Sequence, residues 1–365
     1  MKNNTHLYDI SVVIGRFSPA HFAHIGLFTE ALNLSDNLII ILGSHESPRN
    51  IDNPWNALER EQMIRASLPA DVQDRIHFGY VINTLYSDAD WVASVSSTVR
   101  QISTKIGYGQ DYLPRIALVT HEKDETTYYI NYFKSWKIID IGRSNANGHT
   151  GPVLSATKVR ELYFEEYFNL LPAICPQGVV DYLLAFAKTE HFAALQTEYR
   201  EGIKYENLYE NIPFGQVNFV TVDNVVIQSG HVLLVQRKKA PGKGLWALPG
   251  GHLNVNENFL TGALRELREE TQIKVPDKVL RGSVFHDEIF DHPNRSSRCR
   301  IKTKRGRTIT RAYGYKLDDA ADLPHVVAAD DAEKAWWFTF EEVQRMRNVI
   351  FEDHFDIIMK FLNKL

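Results

Sequence analysis

Three glutamates, Glu266, Glu269 and Glu270, stand at i, i+3 and i+4 in the stretch GHLNVNENFLTGALRELREETQI, which runs from Gly251 to Ile273. On a helix that spacing puts all three carboxylates on one face. Like charges so placed repel each other, and a divalent cation removes the penalty. Carboxylate oxygens suit Mg2+ or Mn2+, and Mg2+ usually completes its shell with substrate phosphates. Glu257 lies upstream and Arg265 directly precedes Glu266. The chemistry implied is metal-assisted attack on a phosphate ester or anhydride. The bland alternative is a solvated helix face laced by i, i+4 ion pairs.

A second constellation points to phosphate as well. The turn Gly15-Arg16-Phe17-Ser18-Pro19-Ala20-His21-Phe22-Ala23-His24 joins an apolar strand to a helix. His21 and His24, three residues apart at the helix start, face one side. A helix N-terminus attracts anions, and imidazoles can add hydrogen bonds to phosphate oxygens. Further on, Ser155-Ala156-Thr157-Lys158-Val159-Arg160 opens another helix with hydroxyls at its start and Arg160 one turn in. Taken alone, such a serine is an N-cap.

The first stretch resembles the Nudix signature, G-x5-E-x7-R-E-U-x-E-E-x-G-U with U aliphatic, at every position but one. Gln272 stands where the family has the glycine that lets the chain leave the helix with φ > 0. Gln272 must therefore take a costlier conformation or end the helix differently. The resemblance implies that Glu266, Glu269 and Glu270 hold the metal, with Glu257 as a further ligand or a supporting carboxylate. Arg265 would orient a glutamate. The base that activates water is expected on a distant loop, with Glu333 as the candidate and Asp330 and Asp331 as rivals.

The histidine turn resembles the G-x-F-x-P-x-H-x-G-H motif of the nucleotidyltransferase superfamily, with Ala23 in place of a glycine, and residues 155–160 resemble its S-x-T-x-x-R motif. Local details resemble the archaeal-type nicotinamide mononucleotide (NMN) adenylyltransferases: Arg49 before Asn53-Pro54-Trp55, then Glu59-Arg60, then Asn83 and Trp91 where that family positions nicotinamide, then Val119 to Asp124 after a late strand. This likeness covers roughly residues 8–187. It implies transfer of AMP from ATP to NMN, giving NAD and pyrophosphate. His21, His24 and Arg160 would hold the ATP phosphates, assisted by Arg16 and Arg49, with Mg2+ bridging phosphate oxygens. Gly15, Phe17, Lys123, Asp124, Ser155 and Thr157 complete the expected substrate contacts. A phosphate nucleophile is already ionised at neutral pH, so no general base is needed.

The segment from Phe290 to Ser296 and that from Arg305 to Thr310 resemble parts of ADP-ribose pyrophosphatases, with residues 297–304 between them as an apparent insertion. Arg295, Arg305 and Arg307 are the substrate contacts this implies, and the reaction is hydrolysis of ADP-ribose to AMP and ribose 5-phosphate. Two alternatives stand beside it: a Nudix domain that senses ADP-ribose without cleaving it, or one that acts on another diphosphate such as NADH. Such sensors carry a DNA-binding module, and only about 25 residues follow AWWF, while every acidic position is intact.

The elements that must position these groups read as two domains, as 365 residues suggest. Apolar runs at 8–15, 38–44, 75–82, 115–121 and 136–142 alternate with helical patterns at 57–68, 89–106, 157–170 and 176–187, which predicts a parallel sheet with ligands at the carboxyl ends of its strands. Strand signals resume at 216–227, 231–237, 279–287 and 307–317, followed by AWWFTF and a closing helix over EEVQRMRNVI. The expected fold is an α/β chain: a Rossmann-like nucleotidyltransferase domain (1–187), a partly helical linker (188–212) and an α+β Nudix sandwich (213–365).

Bulk numbers set limits. The apolar and charged fractions, 44% and 24%, are ordinary for a soluble globular chain. A net charge of −4 gives no overall field for nucleic acid. Cys175 and Cys299 form no metal-ligand pattern or disulfide framework, as expected in a reducing cytoplasm. No leader pattern or long apolar run points to a membrane. The sequence leaves room for a homo-oligomer.

Overall fold

The run from Leu38 to Leu42 is 0% exposed at every position. A strand covered on both faces needs apolar residues without alternation, which is the mark of a parallel sheet. In the computed structural model this run belongs to β2 (Ser35–Leu42), and the chain divides into two units, Met1–Gln196 and Thr197–Leu365. The structure describes residues 6–109, 112–121, 130–142, 155–209, 218–293, 295 and 308–365.

In the first unit β1 (Tyr8–Gly15), α1 (Phe22–Leu34), β2, α2 (Ala57–Arg65), β3 (Ile76–Tyr80), α3 (Asp88–Lys105), β4 (Ile116–Thr120) and β5 (Lys137–Asp140) follow one another. They build a sheet in the order β3-β2-β1-β4-β5, parallel throughout. Order reverses between β1 and β4, which creates a crevice at the carboxyl ends of those strands. Helices α4 (Ala156–Phe164) and α5 (Gln177–Phe186) follow, and then α6 (Glu190–Tyr209). The segment read as a partly helical linker is thus largely one helix, and the division into units falls within it.

The second unit holds β6 (Phe219–Gln228), β7 (His231–Arg237), β8 (Trp246–Ala247), β9 (Gly250–His252), α7 (Phe259–Thr271), α8 (Asp277–Gly282), β10 (Val284–Phe290), β11 (Thr308–Lys316), β12 (Ala332–Thr339), α9 (Phe340–Gln344) and α10 (His354–Leu362). The sheet order is β10-β11-β6-β7-β12, with β8 on β7 and β9 on β6. Only β6 and β11 run parallel among these pairs. Ala263, Leu264 and Leu267 of α7 pack on Val222, Leu233, Tyr313 and Tyr315. Gly314 faces the other way, as the two-residue strand period requires, and a Cβ there would lie 2.6 Å from the Phe361 ring of α10. Helices therefore cover both faces of the sheet, as in the expected sandwich.

Several boundaries differ from the sequence reading. The strand expected at 279–287 begins with α8, which Pro276 directly precedes, and β10 starts only at Val284. The closing helix stops at Gln344, and Ile350 bridges to Trp246 instead. The long closing helix is α10, whose buried Phe355, Ile357, Ile358 and Phe361 form its inner face.

Candidate active sites

The carboxyl ends of β1 and β4 open onto a cavity of about 430 Å3, lined by Gly15, Arg16, Phe17, His24, Asn83, Trp91, His121, Ser155, Thr157 and Arg160 among others. The topology thus brings together two motifs that lie far apart in sequence. Gly15 is needed here, because a Cβ would meet the Phe17 ring at 2.6 Å. Phe17 itself adopts φ 48°, a conformation that non-glycine residues rarely take. His24 accepts the His21 backbone N–H at 3.3 Å, and the two imidazoles stack with centroids 3.7 Å apart. His24 faces the cavity, whereas His21, 1% exposed, is not among its lining residues.

Ser155 caps α4 by accepting the Lys158 N–H. Arg160, nearly buried, donates to the Ser18 carbonyl at 2.7 Å and to Thr157 Oγ1 at 3.3 Å, and pairs with buried Asp52 at 3.3 Å. The second motif is thereby tied directly to the first turn. Asn83 clamps Ser44, accepting its N–H at 3.2 Å and donating to Oγ at 2.7 Å.

Arg49 does not line this cavity. Its guanidinium makes a bidentate pair with Glu59 at 2.6 and 2.8 Å and donates to the Pro54 carbonyl. Lys123 and Asp124 lie outside the described residues. Sequence reasoning gave Asp52 and Arg60 no role. Arg60, 0% exposed, donates to the carbonyls of Arg16 and Gly43. Burial, with repulsion from Arg16, pushes its guanidinium down to about 10. The only sequence signal for it was the Glu59-Arg60 pair, which names no partner.

In the second unit α7 carries the carboxylates. Asn258 caps its start by accepting the Thr261 N–H. Gln272 ends it in the left-handed region, φ 46° and ψ 30°, with its N–H on the Arg268 carbonyl. A glutamine thus does what the signature glycine does, without the glycine's freedom. Fully buried Asn224 donates to the carbonyls of Pro249 and Ala263, at 3.0 and 2.9 Å, and pins the loop before β9 to the helix.

Arg265 gathers the acids. It holds Glu257 in a bidentate pair at 3.0 and 2.6 Å and reaches Glu266 and Glu269 at 2.8 Å each. Glu270, 8% exposed, accepts the Gly250 N–H at 2.9 Å. Burial, with Glu266 and Asp223 nearby, pushes its carboxyl up to about 8. Burial also raises Glu266, against the pull of Arg265. Gly251 leaves room for Glu266, whose carboxylate would lie 2.6 Å from a Cβ at that position.

Among the described residues no three acidic, imidazole or thiolate groups converge as a ready metal site; Glu257, Glu266 and Glu269 all pair with Arg265. The donor chemistry nevertheless fits a divalent cation: hard oxygens only, with burial raising both Glu270 and half-buried Glu266, Glu266 adding to the rise of Glu270, and Glu269 and Asp330 to that of Glu266.

Glu270 also borders a cavity of about 470 Å3, which Asp223, Arg237, Gly251, Arg295, Thr308, Asp331 and His354 help to line. Arg295 is buried and fixed by Asp353 at 3.0 and 3.1 Å. Asp223 accepts from Thr310 at 2.6 Å. His354 accepts the Leu248 N–H, and burial pushes its imidazole down to about 3, so it is neutral. Asp223, Asp353 and His354 follow no motif spacing and were not anticipated.

Glu333 is exposed and does not line this cavity. It sits at the register shift of β12 between Ala332 and Lys334. Its rival Asp331 does line the cavity, paired with Lys239 at 2.7 Å. The other rival, Asp330, helps to raise Glu266. Arg305, Arg307 and residues 297–304 lie outside the described residues.

Comparison with known proteins follows the same division. Residues 217–361 match the NUDIX domain model, and residues 12–121 match the cytidylyltransferase-like model. The chain is 36% identical over 193 residues to a nicotinamide/nicotinic acid mononucleotide adenylyltransferase of Acinetobacter baylyi, covering 53% of this chain and 94% of that protein. It is 29% identical over 143 residues to an ADP-ribose pyrophosphatase of Methanocaldococcus jannaschii, covering 39% of this chain and 72% of that one. A crystal structure from Francisella tularensis, a bifunctional NMN adenylyltransferase/ADP ribose pyrophosphatase complexed with AMP and a manganese ion, superposes with a TM-score of 0.85 and 32% identity over 98% of this chain and 99% of that one. With the first motif set lining one cavity, Glu270 of the second bordering another, and a bifunctional relative matching end to end, the chain belongs to the family of bifunctional NMN adenylyltransferase/ADP-ribose pyrophosphatases.

Proposed function

We propose that the first unit transfers AMP from ATP to NMN, yielding NAD and pyrophosphate, and that the second hydrolyses ADP-ribose to AMP and ribose 5-phosphate. The observation that carries the first half is the shared cavity: His24, Ser155, Thr157 and Arg160 meet at the switch point of a parallel sheet. Adenylyl transfer by such a site rests on positioning and charge stabilisation. The NMN phosphate attacks the α-phosphorus while His24 and Arg160 stabilise charge on the departing pyrophosphate. Asn83 and Trp91 hold the nicotinamide end. Arg60 and Asp52 are positioning residues, holding the turn and Arg160.

The second half rests on α7. Divalent metal dependence fits the carboxylate set, and we assign Mg2+ as the working ion, with Mn2+ an effective substitute. Glu266, Glu269 and Glu270 would hold it, and it would supply charge neutralisation and an acidified water. Arg265 and Glu257 orient the acids, while Arg295 recognises the substrate. Asp331 borders the cavity and replaces Glu333 as the candidate base. We place the domain limits at 1–187 and 213–365, joined through α6, and the enzyme in the cytoplasm; among the described residues no helix is long and apolar enough to cross a membrane.

The test is a substrate panel on the full chain. NAD and pyrophosphate should form from ATP and NMN, and AMP from ADP-ribose with Mg2+. Adenylylation of another acceptor with no NAD formed would refute the first assignment. ADP-ribose binding without AMP release would make the second unit a sensor, and faster cleavage of NADH would change its substrate.

A further inference from the structure

His121 follows β4 directly and lines the adenylyltransferase cavity together with His24, Asn83, Trp91 and Arg160. It is 8% exposed, yet among the described residues neither ring nitrogen has a hydrogen-bond partner. Buried polar atoms in folded proteins are almost always paired, and each orphan needs a reason. The backbone around it is fixed: the Ile141 N–H donates to the Thr120 carbonyl at 3.1 Å, and β4 is in register with β1. A buried imidazole at the switch point, with no protein partner among the described residues, is placed to meet a polar group that arrives with the ligand.

We propose that His121 is a substrate-contacting residue of the adenylyltransferase site, hydrogen-bonding a phosphate or ribose oxygen of a bound nucleotide. The inference rests on the adenylyltransferase reading of this cavity. The oxygen comes either from ATP or from NMN, and the kinetics of each separate the two. A site built around a hydrogen bond to its ligand loses affinity or rate when the partner is removed. The fold gains nothing from the unsatisfied nitrogens, since replacing a buried orphan by an apolar group of similar shape is neutral or stabilising. A structural histidine would show the opposite pattern.

The experiment compares wild type, His121→Phe and His121→Gln in the full chain. NAD formation is measured over a range of ATP and of NMN, ATP binding by calorimetry, and thermal unfolding in parallel. His121→Phe should lower kcat/KM about tenfold or more with its melting temperature unchanged or raised. His121→Gln, which keeps an amide donor and acceptor, should retain more of the activity. A rise confined to the KM for ATP, with weaker ATP binding, assigns the contact to ATP; a rise confined to the KM for NMN assigns it to NMN. Wild-type NAD formation by His121→Phe overturns the proposal, as does a loss matched by a lower melting temperature in both variants. If wild type binds ATP but makes no NAD, the functional reading fails, and ATP affinity then decides on His121: an unchanged value in His121→Phe refutes the contact.

Discussion

Gln272→Gly should stabilise the second unit. Gln272 sits at φ 46° and ψ 30° with an exposed side chain, so it contributes strain and little packing. The left-handed conformation costs a residue with a Cβ about 1–2 kcal/mol. Glycine escapes that cost but loses more backbone freedom on folding, worth about 0.5–1 kcal/mol. The net gain is about 0.5–1 kcal/mol, or about 1–4 °C in a unit of this size. The rest of the helix end is secured independently. Val327 and Ala329 donate N–H groups to the carbonyls of Thr271 and Glu270, and Arg268 donates to the Val275 carbonyl at 2.7 Å. Two units need not unfold together, so the assay is urea-induced loss of ADP-ribose hydrolysis in the full chain. The midpoint should rise for Gln272→Gly and fall for Gln272→Val, whose β-branch tolerates positive φ poorly. A midpoint for Gln272→Gly below that of wild type would refute the reasoning.

Two further outcomes follow from the acidic face. Burial pushes Glu270 up to about 8, against about 4.3 unfolded. Between those values the folded protein keeps a proton that the unfolded chain has released, so in chelator the second unit should lose stability as pH rises through that window. Mn2+ should reverse the loss, and Glu270→Gln should flatten the profile; urea midpoints measured across the window check both. Gly251→Ala would place a methyl 2.6 Å from the Glu266 carboxylate and should cut ADP-ribose hydrolysis about a hundredfold while NAD formation stays at the wild-type rate. Rate assays of both reactions on the same preparation decide it.

Much of this was readable from the residues. The i, i+3, i+4 glutamates carry their geometry in their spacing, and α7 shows it. The uninterrupted apolar run of β2 announced a buried parallel strand. The Gly15 turn and the Ser155 cap are local chemistry, and their meeting follows from the order of the sheet. What escaped was set by tertiary contact. Arg60 could not be recognised as the clamp on Gly43, nor Asp353 as the partner of Arg295 58 residues away, because no local period marks such pairs. Arg49 is a related case: it pairs with a glutamate ten residues on and is not among the residues lining the cavity. Glu333 lies exposed at a register shift of β12 and outside the cavity lining, which alternation along a strand does not reveal. Helix α8 hid in a short apolar run where strand and helix patterns coincide.

The central claim is two independent active sites on one chain, and a crossed pair of variants tests it most directly. NAD formation from ATP and NMN, and AMP release from ADP-ribose, are measured for His24→Ala and for the double variant Glu269→Gln/Glu270→Gln, with folding checked by circular dichroism. The first should lose NAD synthesis and keep hydrolysis; the second should lose hydrolysis and make NAD at close to the wild-type rate. Loss of both activities from either folded variant would contradict the account.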